Sequence, residues 1–297
     1  MISFQQVAET WNAFFHAVEP PYALALFRIL FGCLLLVNAL FYSMDARLWL
    51  GPNGLFAPAR YREIYGHSRL TLLRYLPDMN ASVHFVLGLH IVSALSLTLG
   101  FLTEWSAAVT FVSLASLQHR NPLVTYGADD VMRIMAFLLV WSRAGEVASV
   151  DQWLQDSPRE QTSSTVWCTR LMQLQVSIVY LQAFLAKFSG AAWLDGSAVY
   201  YAIQVPKYQR RPLPLLARTR AWSRALTWGT MLTELGLGPL VWIRELRVPV
   251  LLGGIGMHLG MEVFMNLHLF GPTMLVCFVL FLTPAEAEGI LRFLGLL

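Results

Sequence analysis

Eight apolar runs, separated by polar connections, leave this chain little choice of fold. They cover Tyr22–Tyr42, His84–Phe101, Trp105–Gln118, Val131–Trp141, Trp167–Phe188, Trp222–Ile243, Val248–Leu267 and Leu269–Leu282. A hydrocarbon layer of about 30 Å needs roughly 20 residues of helix to cross it. The third, fourth and eighth runs are short, so they either extend into their connections or form half-spans meeting at a polar centre. Irregular backbone at that depth persists only where protein or a water-filled cavity surrounds it. Charged residues make up 13% of the 297 positions, about half the share a water-facing domain carries. With 10 Trp, 10 Tyr and 18 Phe the chain is rich in residues that favour a bilayer interface. Disorder, nucleic-acid binding and a secreted disulfide scaffold are excluded. The expectation is an all-α polytopic transmembrane bundle of about seven or eight spans in a single domain over 1–297. Within it, 1–20 form an interfacial helix, 22–284 the membrane bundle and 285–297 an amphipathic tail.

The N-terminal stretch lacks a positive leader region and carries Glu9 and Glu19, unlike a secretory signal. Trp11, Phe14, Phe15 and Val18 fall at helical spacing, and Pro20-Pro21 ends that amphipathic helix. Three connections are long. Ser43–Val83 holds GPNGLFAP and five arginines; Arg143–Val166 is polar, with Asp151, Asp156, Pro158, Arg159 and Glu160. Ser189–Ala221 carries Lys207, Arg210, Arg211, Arg218 and Arg220. Alternating spans gather most cations opposite the N-terminus, which the positive-inside rule would make cytoplasmic, but long folded loops weaken that rule and orientation stays open. There are 19 arginines and 2 lysines, so each lysine stands out. Cys33, Cys168 and Cys277 read as small buried hydrophobes.

An ionisable side chain within an apolar span is a functional candidate by default. The strongest is Lys187. Gln173, Ser177, Tyr180, Phe184 and Lys187 follow steps of three and four residues and form one mostly polar helical face. Pointed into the bundle, a dehydrated lysine would favour its neutral amine. Placed near the helix end, it would instead snorkel to the headgroups. The local pattern allows both.

The segment HRNPLVTYGADDVMR forms a second cluster. Asn121-Pro122 signals a turn, and Tyr126-Gly127 precedes a helix whose start carries Asp129 and Asp130. Both carboxylates lie within one turn of Arg133, and His119 could carry a proton near neutral pH. In the later spans, His258, Glu262 and Asn266 form one stripe and Thr227, Thr230 and Glu234 another. Arg28, inside the first span, needs a carboxylate, for which Glu234 and Glu262 are the candidates. No metal site is expected, since the His258–Glu262 spacing lacks the second histidine of H-E-x-x-H.

F-R-I-L-F-G, GPNGL, HRNPLVTYGADD, YLQAFLAKFSGAAWLDGSAVYYA, T-E-L and G-M-H-L-G run in an order that resembles the HTTM (horizontally transferred transmembrane) family, which is similar to the membrane domain of vitamin K-dependent gamma-carboxylase. The likeness covers nearly the whole chain. In that carboxylase a lysine seven residues after a tyrosine and shortly before W-x-x-G is the base that deprotonates the quinol cofactor. Tyr180, Lys187, Trp193 and Gly196 match, with one extra residue before the tryptophan. The resemblance thus implies Lys187 as base, a quinone-like lipid cofactor, and Asp129, Asp130, Arg133 and His119 shaping the site. A histidine of the carboxylase aligns with Pro122, and its large propeptide-binding lumenal domain has no counterpart, so carboxylation itself is not implied.

Two functional readings follow. One is a membrane enzyme acting on a lipophilic cofactor or modifying a secreted peptide. The other is a non-catalytic factor for maturation or export of a peptide toxin, working with partner proteins such as a small thiol–disulfide oxidoreductase. Both place the chain in a bilayer, as an integral protein of the bacterial cytoplasmic membrane. A transporter is disfavoured because no inverted repeat is visible.

Overall fold

The computed structural model describes residues 3–66, 69–155, 164–212, 214 and 219–297. Asp156, Pro158, Arg159 and Glu160 of the second long connection, and Arg218 of the third, lie outside the described residues. Fifteen α-helices follow one another among the described residues. The first eight are α1 (Phe4–Phe15), α2 (Tyr22–Met44), α3 (Ala46–Trp49), α4 (Pro58–Tyr65), α5 (Asn80–Leu99), α6 (Thr103–Arg120), α7 (Gly127–Val140) and α8 (Val150–Trp153). The remainder are α9 (Trp167–Lys187), α10 (Ala191–Asp195), α11 (Ala198–Gln204), α12 (Arg220–Leu237), α13 (Arg244–Phe264), α14 (Phe270–Phe278) and α15 (Pro284–Phe293). Strand β1 (Val18–Glu19) pairs antiparallel with β2 (Ser164–Thr165).

Each of the eight apolar runs folds as helix. By length and apolarity alone, however, three helices suffice to cross a membrane: α2, α5 and α13. A fourth is reached if Phe270–Phe281 and Pro284–Phe293 count as one broken span. By that measure seven or eight full spans are not clearly reached, because α7 and α14 are short, with 14 and 9 residues, and α6, α9 and α12 dilute their apolar residues with serine, threonine, glutamine and charge. Outward-facing Leu40, Phe41, Phe85, Val92, Leu252 and Leu259 are exposed, as residues meeting lipid rather than water would be.

The chain divides into two compact units, Met1–Arg170 with Leu282–Leu297, and Leu171–Phe281. In the first, α2 packs on α5, α5 on α6 and α6 on α7, and α15 lies against α2. Leu50, Val83, Val86, Leu87 and Leu117 form one apolar cluster. Helix α1 opens with a capping box between Ser3 and Gln6 and buries none of its residues, while Phe4, Val7 and Trp11 stay exposed, as an interfacial helix requires. It ends at Phe15, so Val18 belongs to β1 and not to the amphipathic face expected of it. Cys33 is exposed, unlike Cys168 and Cys277, because it falls on the outer face of α2.

Arg28 is the main correction in this unit. Its guanidinium is fully buried, and it is bound by main-chain oxygens: Nη1 donates to Ala144 O at 2.9 Å and Nη2 to Ala148 O. The expected partners are engaged elsewhere, Glu234 with Lys187 and Glu262 with Arg210. Gly100, at φ +68, makes room for this cation: a Cβ there would sit 2.4 Å from Arg28 Nη1. The Gly100 carbonyl in turn accepts from Asp151 N at 2.9 Å.

Asp151 fastens the same corner. Its carboxylate accepts from Leu102 N (2.7 Å), Thr103 N (2.8 Å) and the Thr103 hydroxyl (2.7 Å), capping the first turn of α6. Partial burial pushes its pKa up, but these hydrogen bonds and the Arg28 charge outweigh that and hold it below the ordinary carboxylate range. Asp151→Ala should destabilise detergent-solubilised protein by about 1–2 kcal/mol, the loss of a helix cap, measured by thermal unfolding. Because the folded pKa is depressed, the wild-type contribution is complete above the unfolded carboxylate value and disappears as pH falls through the folded one. The gap between wild type and variant should therefore close in acid.

Candidate functional site

Helix α9 carries the polar face read from its spacing, and the second unit buries it. Gln173, Ser177 and Tyr180 are buried. Gln173 Nε2 donates to Leu280 O at 2.7 Å, and Ser177 Oγ accepts from Trp242 Nε1 at 2.9 Å. Each of these inward polar groups has found a partner from another segment, as burial demands.

Lys187 ends this face. Its ammonium donates to Glu234 Oε1 at 2.7 Å and to Ala183 O at 3.3 Å, and lies 4.8 Å from the Trp193 ring centroid. The side chains of Lys187 and Glu234 are 16% and 9% exposed, which rules for inward pairing over snorkelling. Three helices converge here: α9 brings the cation, α10 the aromatic face and α12 the carboxylate. Glu234 Oε2 is buried without a hydrogen-bond partner.

A second pair lies in the same unit. Tyr180 Oη and His258 Nε2 are 2.6 Å apart, and the His258 ring is fully buried against Phe270 and Phe278. Close packing of α13 permits this: a Cβ at Gly254 would stand 2.8 Å from the Phe278 ring. His258 Nδ1 is buried without a partner. The expected His258–Glu262–Asn266 stripe does not act together. Glu262 pairs with Arg210 at 3.2 Å, while Asn266 lies beyond α13 and is bound through its backbone N to Tyr208 O at 2.6 Å. Of the other α12 stripe, Thr227 accepts from Val199 N at 3.2 Å and Thr230 bonds back to Leu226 O at 2.9 Å.

After Trp193, Gly196 takes φ +84, and a Cβ there would meet Arg224 at 2.4 Å. Its carbonyl accepts from Ser223 at 2.9 Å. A cavity of about 280 Å³ is lined there by Asp195, Ser197, Tyr200, Arg220 and Arg224 among others, without Lys187.

In the first unit the HRNPLVTYGADDVMR cluster is a helix connection held by many polar contacts. Tyr126 precedes α7, and Asp129 accepts from Tyr126 N at 3.0 Å. Arg133 pairs with Asp130 and donates to Gln118 Oε1 at 2.8 Å, while Gln118 Nε2 reaches Asp129 O at 3.1 Å. Asn121 donates to Trp49 O at 2.8 Å, and His119 Nδ1 lies 2.7 Å from Leu70 O. Gly127 needs no special backbone, and a Cβ there would meet nothing. The capped helix and ion pair are as expected from the spacing. Gln118 of α6, buried and bonded to both Asp129 and Arg133 of α7, was missed because an isolated glutamine at a helix end carries no signal.

Comparison with known proteins gives the same family as the motifs. The HTTM domain model matches residues 16–285. The chain is 24% identical over 284 residues to Sporulation-delaying protein SdpB of Bacillus subtilis (strain 168), covering 88% of this chain and 81% of that protein. It is 27% identical over 125 residues to Uncharacterized protein YitO of the same organism, covering 39% of this chain and 40% of that protein. No solved structure matches.

Tyr180→Phe should cost about 1–3 kcal/mol, the penalty of leaving a buried His258 nitrogen unpaired. Tyr180→Phe combined with His258→Leu should recover part of that loss, since both polar partners are then replaced. Thermal unfolding of both variants in the same detergent checks it.

Proposed function

Because the chain belongs to the HTTM family, we propose that it is an integral protein of the bacterial cytoplasmic membrane that helps mature or export a small secreted peptide. In this reading it works with partner proteins, all eight helical runs are embedded in the bilayer, and the Lys187–Glu234 pair is its polar centre. The observation that carries the proposal is that pair: an ammonium and a carboxylate from separate apolar helices, 2.7 Å apart and largely buried. Such a pair gives little net stability over well-packed apolar residues, so its presence points to a specific arrangement that the working protein needs. The family resemblance supplies the peptide, and membership over nearly the whole chain supports carrying it over.

A resident quinone-like cofactor does not fit this centre. The three directions of the ammonium are taken by Glu234, Ala183 O and the Trp193 face, and the cavity described in the same unit does not reach Lys187. Asp129, Asp130, Arg133 and His119 are then residues that hold the α6–α7 connection in shape. A second reading, Lys187 as base toward a peptide, is favoured by one feature. Glu234 Oε2, beside the Lys187 amine, has no hydrogen-bond partner, so one carboxylate oxygen of the pair is open to a donor from a substrate.

The test is complementation of a host lacking the protein, with secreted peptide quantified by mass spectrometry. Wild type should restore the mature peptide, Lys187→Met should lower it about tenfold or more, and Lys187→Arg should stay within about threefold, since arginine keeps the charge but cannot be deprotonated. Loss of activity in a well-folded Lys187→Arg protein would transfer the assignment to base chemistry. Unchanged mature peptide in the deletion host would overturn the peptide role.

A further inference from the structure

The long connection between α2 and α5 builds a cavity that the proposed function does not use. It has a volume of about 180 Å³ and lies within the first unit. Four arginines line it, Arg62, Arg69, Arg74 and Arg120, against one acid, Asp78, a formal balance of four minus one, or +3. Arg62 is paired with Asp78 at 2.9 Å. Arg120 is 6% exposed, and two of its nitrogens are held by main-chain oxygens, Nη1 by Phe56 O at 2.9 Å and Nη2 by Gly51 O at 3.0 Å. Carbonyls fix this cation in place without neutralising it. Arg69 lies 4.5 Å from the Tyr65 ring centroid and Arg74 5.5 Å from that of Tyr75.

An independent observation points to a ligand. Tyr61 lines the same cavity and is 8% exposed, yet its hydroxyl is buried with no hydrogen-bond partner. A buried hydroxyl left unpaired is destabilising, and an oxygen-rich anion in the cavity would supply the acceptor it lacks. Leu50, Leu73, Met79 and Val83 supply an apolar wall. The cavity also has a defined depth. Helices α2 and α5 are both long enough to cross a bilayer, and the cavity lies between the end of one and the start of the other, where lipid headgroups sit.

We propose that this cavity binds a phosphate group, with the arginines holding its oxygens, Tyr61 donating to one of them, and the apolar wall taking the start of an attached hydrocarbon chain. A formal charge of +3 exceeds what one carboxylate would neutralise, and arginine forks suit phosphate oxygens. The phosphate could come from an anionic lipid headgroup or from solution, and the experiment separates the two.

Purified full-length protein in a neutral detergent is titrated with phosphatidic acid, phosphatidylcholine, oleate or inorganic phosphate, and binding is read by native mass spectrometry and by the shift in unfolding temperature. Phosphatidic acid should bind at least about tenfold more tightly than oleate or phosphatidylcholine. Arg69→Gln with Arg74→Gln should lower that affinity about tenfold, and Tyr61→Phe several-fold, the scale of a lost charge-assisted hydrogen bond. Without ligand, Tyr61→Phe should be as stable as wild type or more so, because only an unpaired hydroxyl is removed; that separates binding from folding. Equal binding of inorganic phosphate keeps the site and assigns its ligand to solution, whereas dependence on the acyl chains assigns it to lipid. Affinities unchanged in both variants, or oleate binding as tightly as phosphatidic acid, would overturn the proposal.

Discussion

A charge inside an apolar helix must find its opposite or a fan of dipoles, and the folds of both units follow from that requirement. Lys187 and Glu234, from α9 and α12, meet at 2.7 Å. Their union ties α9 to α12 at one point along both helices. Arg28 solves the same problem differently, with the carbonyls of Ala144 and Ala148. Each solution demands a particular backbone: Gly100 bare against the guanidinium, Trp193 laid under the ammonium. Removing one partner from such a pair is far more damaging than replacing both.

The same logic explains the serines, threonines and glutamines that keep α6, α9 and α12 from reading as simple spans. Thr110, Ser113, Gln118, Gln173 and Thr227 are all buried. They lower helix hydropathy, and Ser113, Gln118, Gln173 and Thr227 add specific hydrogen bonds, as polar residues between membrane helices do.

Much of this was legible in the sequence. The apolar runs give the helices, the three-and-four spacing from Gln173 to Lys187 gives the buried face of α9, and Asp129, Asp130 and Arg133 give the capped start of α7. What was hidden has a common cause, dependence on backbone brought from far along the chain. Arg28 is bound by oxygens more than a hundred residues away, which no side-chain pattern encodes. Glu262 and Arg210 are joined because the segment after α11 returns to the end of α13. Val18 leaves its helical face because two residues near position 164 offer a strand partner. Tyr61 and Arg120 were invisible for the same reason, since a cavity exists only once its loop is folded.

The central claim is that Lys187 and Glu234 interact with each other in preference to solvent or lipid headgroups. A double-mutant cycle measures this directly: unfolding free energies in one detergent of wild type, Lys187→Met, Glu234→Leu and the double variant. A buried pair predicts a coupling energy of about 2 kcal/mol or more, with the double variant more stable than the sum of the singles implies. Additivity within about 0.5 kcal/mol would mean that the two groups do not sense one another, and would contradict the account.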